Sequence, residues 1–294
     1  MTAAGIAGRA QTAGWRPARV AARLRRSWPS WLLILVTLLF TAPFLWVFTH
    51  SLESSAEWAQ NKTVLWPHAP TLANYRAVLF KDGFLTNVAN SVIVAAATTA
   101  ATLVFGSLAG YALARLPMRG KSAILGFILL AGFFPLTAMI GPLFKVMSRL
   151  GLLDTLTAVS ISDLIYTLPL ATWLLASLFA QLPEEIEEAA MVDGCTRLGA
   201  LRRVVAPLAA PALATAAVLS FILAWSDFTF SLSFLQDESH FTAPLAMLQL
   251  GQTKFYTYYN LTDATVVITA LPIVVLVLVM QRRIVSGLTG GAVK

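Results

Sequence analysis

Six apolar runs, each close to 20 residues long, constrain this chain more than any other feature. They lie near Trp31–Thr49, Asn90–Ala114, Ser122–Phe144, Thr157–Ala180, Leu208–Phe234 and Ala264–Met280. A hydrocarbon core of roughly 30 Å takes about 20 helical residues to cross. Backbone in lipid must satisfy its own hydrogen bonds, so each run is expected to be a helix. Composition agrees. The 294 residues are 57% hydrophobic and 12% charged, whereas a soluble domain is about 25% charged. The expected fold class is an all-α membrane protein with six transmembrane helices.

Lysine and arginine set the expected orientation. With the N-terminus inside, internal segments carry 15 of the 21 and external loops carry 6. Both termini are therefore expected in the cytoplasm. The net charge of +7 is mostly this topology signal. A nucleic-acid partner would need a basic patch on a soluble domain, and the pattern offers none. Three regions are expected: a basic cytoplasmic arm over 1–30, a permeation domain over 31–280 and a cytoplasmic tail over 281–294. The arm is read as disordered or lying on the membrane surface. The run after it is too long for a signal-peptide core.

Most signals that look chemical fail on spacing. Gly120-Lys121-Ser122 ends like a phosphate-binding loop. Position 115 is Arg where that loop needs Gly, and an apolar helix precedes it instead of a strand. If ATP is used, another polypeptide must bind it. His50, His68 and His240 are far apart in external segments, and Cys195 is the only cysteine. No metal or disulfide is expected. Two sequons, at Asn61 and Asn260, read as coincidence. No paired carboxylates or Ser-His-Asp set support hydrolysis, so the chain is not expected to be an enzyme. Gly106 and Gly110 with nearby alanines form a small face suited to helix packing. Pro43, Pro135, Pro169 and Pro272 lie inside runs, where each permits a kink.

Carboxylates inside apolar runs are costly and usually face a cavity or partner. Asp163 in the fourth run and Asp227 in the fifth are such residues, and both lie toward the outer ends of their spans, where solvation is the alternative. Trp225-Ser226-Asp227 places an aromatic beside polar groups, a common way to hold a sugar. Trp225, Ser226, Asp227, Asp163 and Tyr166 are the candidate substrate-path residues.

The polar segment 182–207 says most. Pro183 with Glu184, Glu185, Glu187 and Glu188 suits a helix start, with Pro at the first helical position. Gly194 supplies a stop and Thr196 a cap for a second helix. Leu198, Leu201 and Val205 are expected on one face of that second helix. Ala189 and Ala190 leave a low-relief face. The result is a helix, a turn and a helix.

Glu188-Ala189-Ala190, three residues, Gly194, nine residues and Val204-Val205-Ala206-Pro207 resembles the EAA loop of ABC importer permeases. Val204 and Ala206 stand where the family pattern has Ile and Leu. The resemblance covers nearly the whole chain. Thr71-Leu72-Ala73-Asn74-Tyr75 looks like the family's Asn-Tyr segment. Ala224-Trp225-Ser226-Asp227 resembles its fifth-helix motif, with Ser226 in place of Asn. The ending Gln281–Lys294 is similar to the smaller membrane subunit of maltose-type importers. The resemblance implies a type I importer permease in a bacterial cytoplasmic membrane. It implies a second homologous permease, a homodimeric ATP-binding subunit that holds ATP and Mg, and an extracytoplasmic sugar-binding protein or lipoprotein. Surrounding membrane lipid is the remaining partner. Glu184, Glu185, Glu188, Ala189, Ala190, Asp193, Gly194 and Arg197 are then the expected ATPase-coupling residues. A maltose- or trehalose-like sugar is the first expectation, with glycerol phosphate and polyols as alternatives. The other class is an ion-driven secondary transporter using Asp163 and Asp227.

Overall fold

The computed structural model describes residues 17–59, 65–81, 83–250 and 259–289. No strand occurs among them. The helices are α1 (Pro17–Ser51), α2 (Ser55–Trp58), α3 (Ala73–Arg76), α4 (Phe84–Arg115), α5 (Lys121–Gly132), α6 (Leu136–Arg149) and α7 (Leu156–Phe179). They continue as α8 (Glu184–Val192), α9 (Arg197–Ala200), α10 (Ala206–Leu208), α11 (Ala210–Trp225), α12 (Thr229–Phe234), α13 (Ala243–Ala246) and α14 (Tyr259–Thr289). The chain divides into two compact units, residues 1–47 and 48–294. In the first, α1 begins at Pro17, so the described half of the basic arm is helical and not a disordered tether. Residues 1–16, which hold Arg9 and Arg16, lie outside the described residues.

Four helices are long and apolar enough to cross a membrane, and up to six spans result if each of two bent pairs counts as one. The third expected span is one such pair. It divides into α5 and α6, which meet at 88°. Pro135 causes the break. It has no N–H for the ladder, and it drives Phe134 out of helical geometry. Pro169 and Pro272 sit inside continuous helices instead. The fifth expected span is also interrupted: α11 stops at Trp225 and α12 restarts at Thr229.

The long helix α4 packs along α7, and the small face read from sequence lies at this contact. A Cβ on Gly106 would sit 3.4 Å from Ala171 Cβ, and one on Gly110 would sit 3.0 Å from the backbone N of Ala176. Close approach lets polar side chains join the two helices. The hydroxyls of Thr102 and Thr167 share a hydrogen bond of 2.8 Å, and Thr98 Oγ1 donates to Ser160 O at 3.1 Å. Helix α11 packs against α4, α7 and α14.

Two apolar clusters flank this polar zone. One gathers Val78, Phe84, Val159, Phe230 and Phe234. The other gathers Tyr111, Leu175, Phe179, Leu201 and Val205 at the end of α4 that carries Arg115.

Candidate functional site

The α8–α9 loop is built by local signals. Pro183 is the N-cap of α8, with extended ψ of 133°, so the first helical residue is Glu184 and not Pro183 as expected. Glu184, Glu185 and Glu187 occupy the first turn, where free N–H groups favour negative charge. At the far end Gly194 takes φ of +89°. Cys195 N donates to Ala190 O at 3.0 Å and Gly194 N to Met191 O at 3.1 Å. That pairing closes the helix in a Schellman motif. Thr196 Oγ1 then accepts from Gly199 N at 3.1 Å and starts α9.

The faces of the loop differ from the expected ones in two places. Glu184, Glu185, Glu188, Ala189, Asp193, Gly194 and Arg197 are exposed. Ala190 is 8% exposed and packs inward, so the low-relief outer face is Ala189 alone. Leu201 and Val205 are buried, but Leu198 is 62% exposed. The segment Leu201–Val205 is wound as a π-helix, so a simple 3.6-residue period through it fails. Exposed Val192 and Leu198 add two apolar side chains to the outer face.

Sequence reasoning missed the residues that hold this loop in place. Glu187 is 5% exposed. Arg115 Nε lies 3.2 Å from its Oε2, and Tyr111 donates its hydroxyl proton to Oε1. Arg115 also donates to Leu182 O at 2.6 Å and lies 3.4 Å from Glu184. The Arg115 side chain is 6% exposed, so protein groups and not solvent hold its charge. It pins α8 to the end of α4. The legible signal was spacing: Glu187 and Ala190 stand three apart, on one side of a helix.

The break in the fifth span gathers the other candidates. Asp227 Oδ1 accepts from Phe230 N at 3.2 Å, and Oδ2 accepts from Ser231 N at 2.9 Å and Ser231 Oγ at 3.0 Å. Asp227 thus caps α12. Tyr166 OH donates to Asp163 Oδ1 at 2.7 Å, and its ring stacks on Phe230. Asp163 is 0% exposed and Asp227 8%, so neither is the solvated interfacial acid that helix position allowed. Asp163 Oδ2 has no partner among the described residues. Trp225 is buried too. Its Nε1 donates to Thr269 O at 3.2 Å and fastens the end of α11 to α14. Ser226 is exposed at the break.

Two polar knots lie at the end of α4 that carries Asn87. Asn74, from the Asn-Tyr segment, donates to Ser51 O at 2.9 Å and Glu53 O at 2.8 Å. Asn260 donates to Asn74 Oδ1 at 3.2 Å and is 0% exposed, which closes it to any modification in this fold. The Asn61 sequon lies outside the described residues. Burial raises the Glu53 carboxyl above its ordinary range, and His50 opposes the shift. In the second knot, the backbone N–H groups of Gln236 and then Asp237 hold the Asp154 carboxyl below its ordinary range. No group of three metal-ligating side chains occurs among the described residues. Gly120 opens a helix that follows another helix, so the phosphate-loop reading has no strand to stand on.

The sequence pattern of binding-protein-dependent transport system inner membrane components matches residues 102–289. The chain is 39% identical, over 89% of its length, to the sulfoquinovosyl glycerol transport system permease protein of Agrobacterium fabrum, and it covers 91% of that protein. It is 38% identical to the trehalose transport system permease protein of Mycobacterium tuberculosis, with 86% and 92% of the two chains covered. For the trehalose/maltose transport system permease protein of Thermococcus litoralis the identity is 35%, over 89% and 94%. The fold matches a chain of a bacterial ABC transporter involved in import of the polysaccharide alginate. The TM-score is 0.72 at 25% identity, over 91% of this chain and 97% of that one. The chain belongs to the binding-protein-dependent transport system inner membrane component family, and its fold is that of a type I ABC importer permease.

Proposed function

We propose that the chain is one permease half of an ABC importer for a di- or oligosaccharide in a bacterial cytoplasmic membrane, and that the α8–α9 loop couples it to a separate ATPase. The carrying observation is the pinned loop. Glu187, Arg115 and Tyr111 fix its inner side, while Glu184, Glu185, Glu188, Ala189, Asp193, Gly194 and Arg197 are left exposed. A loop held this way moves with α4, whereas a floppy tether would absorb the motion. Swinging a two-state cavity from 1:99 to 99:1 takes about 5.5 kcal/mol of differential binding. A homodimeric ATPase holding ATP and Mg supplies it when the loop transmits it. A second homologous permease completes the path, and an extracytoplasmic binding protein delivers the sugar. The named cargoes of the relatives, among them trehalose and sulfoquinovosyl glycerol, support a sugar or glycoside class. The loop and both termini lie on the cytoplasmic side in this reading.

Gly194→Val tests the coupling. A Cβ at Gly194 meets nothing within 4 Å, so only the left-handed backbone resists the change. That strain is about 1–2 kcal/mol. Membrane insertion should survive, and sugar-stimulated ATPase activity of the reconstituted complex should be lost. Normal stimulation would sink the coupling role.

In the same reading the break near Ser226 borders the sugar path. Ser226 and Tyr166 face it, while Asp227, Asp163 and Trp225 shape it. Asp227→Ala removes the cap of α12, a contact worth about 1 kcal/mol at an ordinary N-cap. Uptake KM and sugar preference are expected to shift. Unaltered kinetics in transport assays would count against the path.

A further inference from the structure

The turn at Gly120-Lys121-Ser122 does not serve as a nucleotide loop, but the fold sets it beside a groove. Lys121 and Ser122 line this groove of about 260 Å³ with Leu113, Leu125, Ala176 and Ser177. Three helix ends meet there: the last turn of α4, the first turn of α5 and the last turn of α7. Spans that end together do so near the depth where hydrocarbon gives way to headgroups. At the far end of α5 the packing is tight, since a Cβ on Gly132 would sit 3.1 Å from Pro169 Cβ. Helices α5 and α7 part toward Lys121, and the groove opens between them.

Its floor is apolar, and its rim carries one ammonium and two hydroxyls. Lys121 pairs with no carboxylate among the described residues. Its Nζ donates to Ala114 O at 3.4 Å, a carbonyl in the last turn of α4. An ammonium has three protons to donate, so two remain for a ligand. Ser122 and Ser177 are exposed. Ser177 Oγ donates to Trp173 O at 2.8 Å, one turn back in its own helix.

The size of the groove decides between kinds of ligand. Sites that enclose a small molecule run about 300–1,000 Å³, and this one is smaller. A phospholipid needs less room, because only its headgroup enters. Its chains stay outside, along the exposed Ile124 and Phe127 of α5. Lysine binds phosphate as a point charge, and basic pockets between spans take acidic headgroups. A zwitterionic headgroup would bring a second cation toward Lys121, and an acidic one brings none.

We infer that this groove binds the headgroup of an acidic phospholipid, with Lys121 and Ser122 on its phosphate. The inference goes beyond the importer reading and takes from it only the side of the membrane, which is cytoplasmic at this end of α4.

The test uses the full chain with every subunit that co-purifies, titrated in detergent with dioleoylphosphatidylglycerol or dioleoylphosphatidylcholine. Native mass spectrometry counts the lipids bound. Phosphatidylglycerol should bind the wild type more tightly than phosphatidylcholine. Lys121→Ala combined with Ser122→Ala should raise its half-saturating concentration about tenfold and leave phosphatidylcholine unaffected. Lys121→Arg keeps the charge and should keep the binding. An unchanged half-saturation in the double variant overturns the site. So does an equal loss on Arg119→Ala, an exposed charge outside the lining, because the attraction would then belong to the surface at large. Displacement of the lipid by inorganic phosphate would assign the groove to a soluble anion and overturn the lipid. An amine reagent should modify Lys121 in the lipid-free complex, and phosphatidylglycerol should protect it. Protection without lipid would mean that a neighbouring subunit fills the groove, which also overturns the proposal. Failure of sugar uptake would defeat the importer reading and leave the lipid titration standing.

Discussion

Glu187→Ala should be the most damaging single substitution in the α8–α9 loop. It removes the buried partner of Arg115, whose side chain is 6% exposed, and leaves only the exposed Glu184 carboxylate, 3.4 Å away, opposite the charge. Breaking a buried pair from one side costs about 3–5 kcal/mol. Removing both partners is much less harmful, because no charge is then left without its counterion. Arg115→Met with Glu187→Leu should therefore recover most of the stability lost by either single change. Thermal unfolding of the purified protein in detergent gives the comparison. Similar melting points for wild type and Glu187→Ala would rule out the pin as a structural element. Sugar-stimulated ATPase activity of the double variant separates stability from transmission. An apolar contact restores packing but not the oriented grip on Leu182 and Glu184, so stimulation should remain impaired.

The second large effect is expected at Gly110. A Cβ there meets the Ala176 backbone N at 3.0 Å, Leu175 Cβ at 3.1 Å and Leu175 C at 3.3 Å. Two of the three are backbone atoms of a packed helix, which cannot swing aside as a side-chain end would. Gly110→Ala should cost about 1–3 kcal/mol by overpacking, and Gly110→Leu should separate α4 from α7 there and prevent folding. One turn earlier, the contact at Gly106 is an ordinary 3.4 Å. Gly106→Ala should be close to neutral, since alanine is also the better helix former by about 1 kcal/mol. Expression yield and melting temperature of the three variants decide the order. An equal response at the two glycines would mean that α4 and α7 are not in close contact at Gly110.

These residues show why parts of the fold were legible in sequence and others were not. Helix existence follows from run length, so the uninterrupted spans α4, α7 and α14 were readable. The caps of α8 and α9 were readable because Gly194 and Thr196 act on neighbours a few residues away. The breaks in the third and fifth spans were not, although Pro135 and Asp227 were in plain view. A proline inside a run allows a kink, a break or neither, and packing decides among them: Pro169 and Pro272 stay helical. Sequence left Asp227 between a path-facing and a solvated group, and its hold on the start of α12 through both oxygens was in neither reading. Spacing could place Glu187 on the inner side of α8 but could not name its partner, because the Tyr111 hydroxyl is 76 residues away. No local pattern carries that pairing.

Helix α4 runs unbroken for 32 residues. Arg115 and Tyr111 grip the α8–α9 loop at one end, and Asn90 and Asn87 hold the segment between α12 and α13 near the other. Asn90 and Arg115 stand about 37 Å apart at 1.5 Å per residue. A rod loaded at both ends cannot tell which load is the signal. In the proposed importer, linkage makes the factor by which a nucleotide-bound ATPase changes the affinity for the delivering protein equal to the factor by which that protein changes nucleotide affinity. One measurement on either side of the membrane then fixes its counterpart on the other.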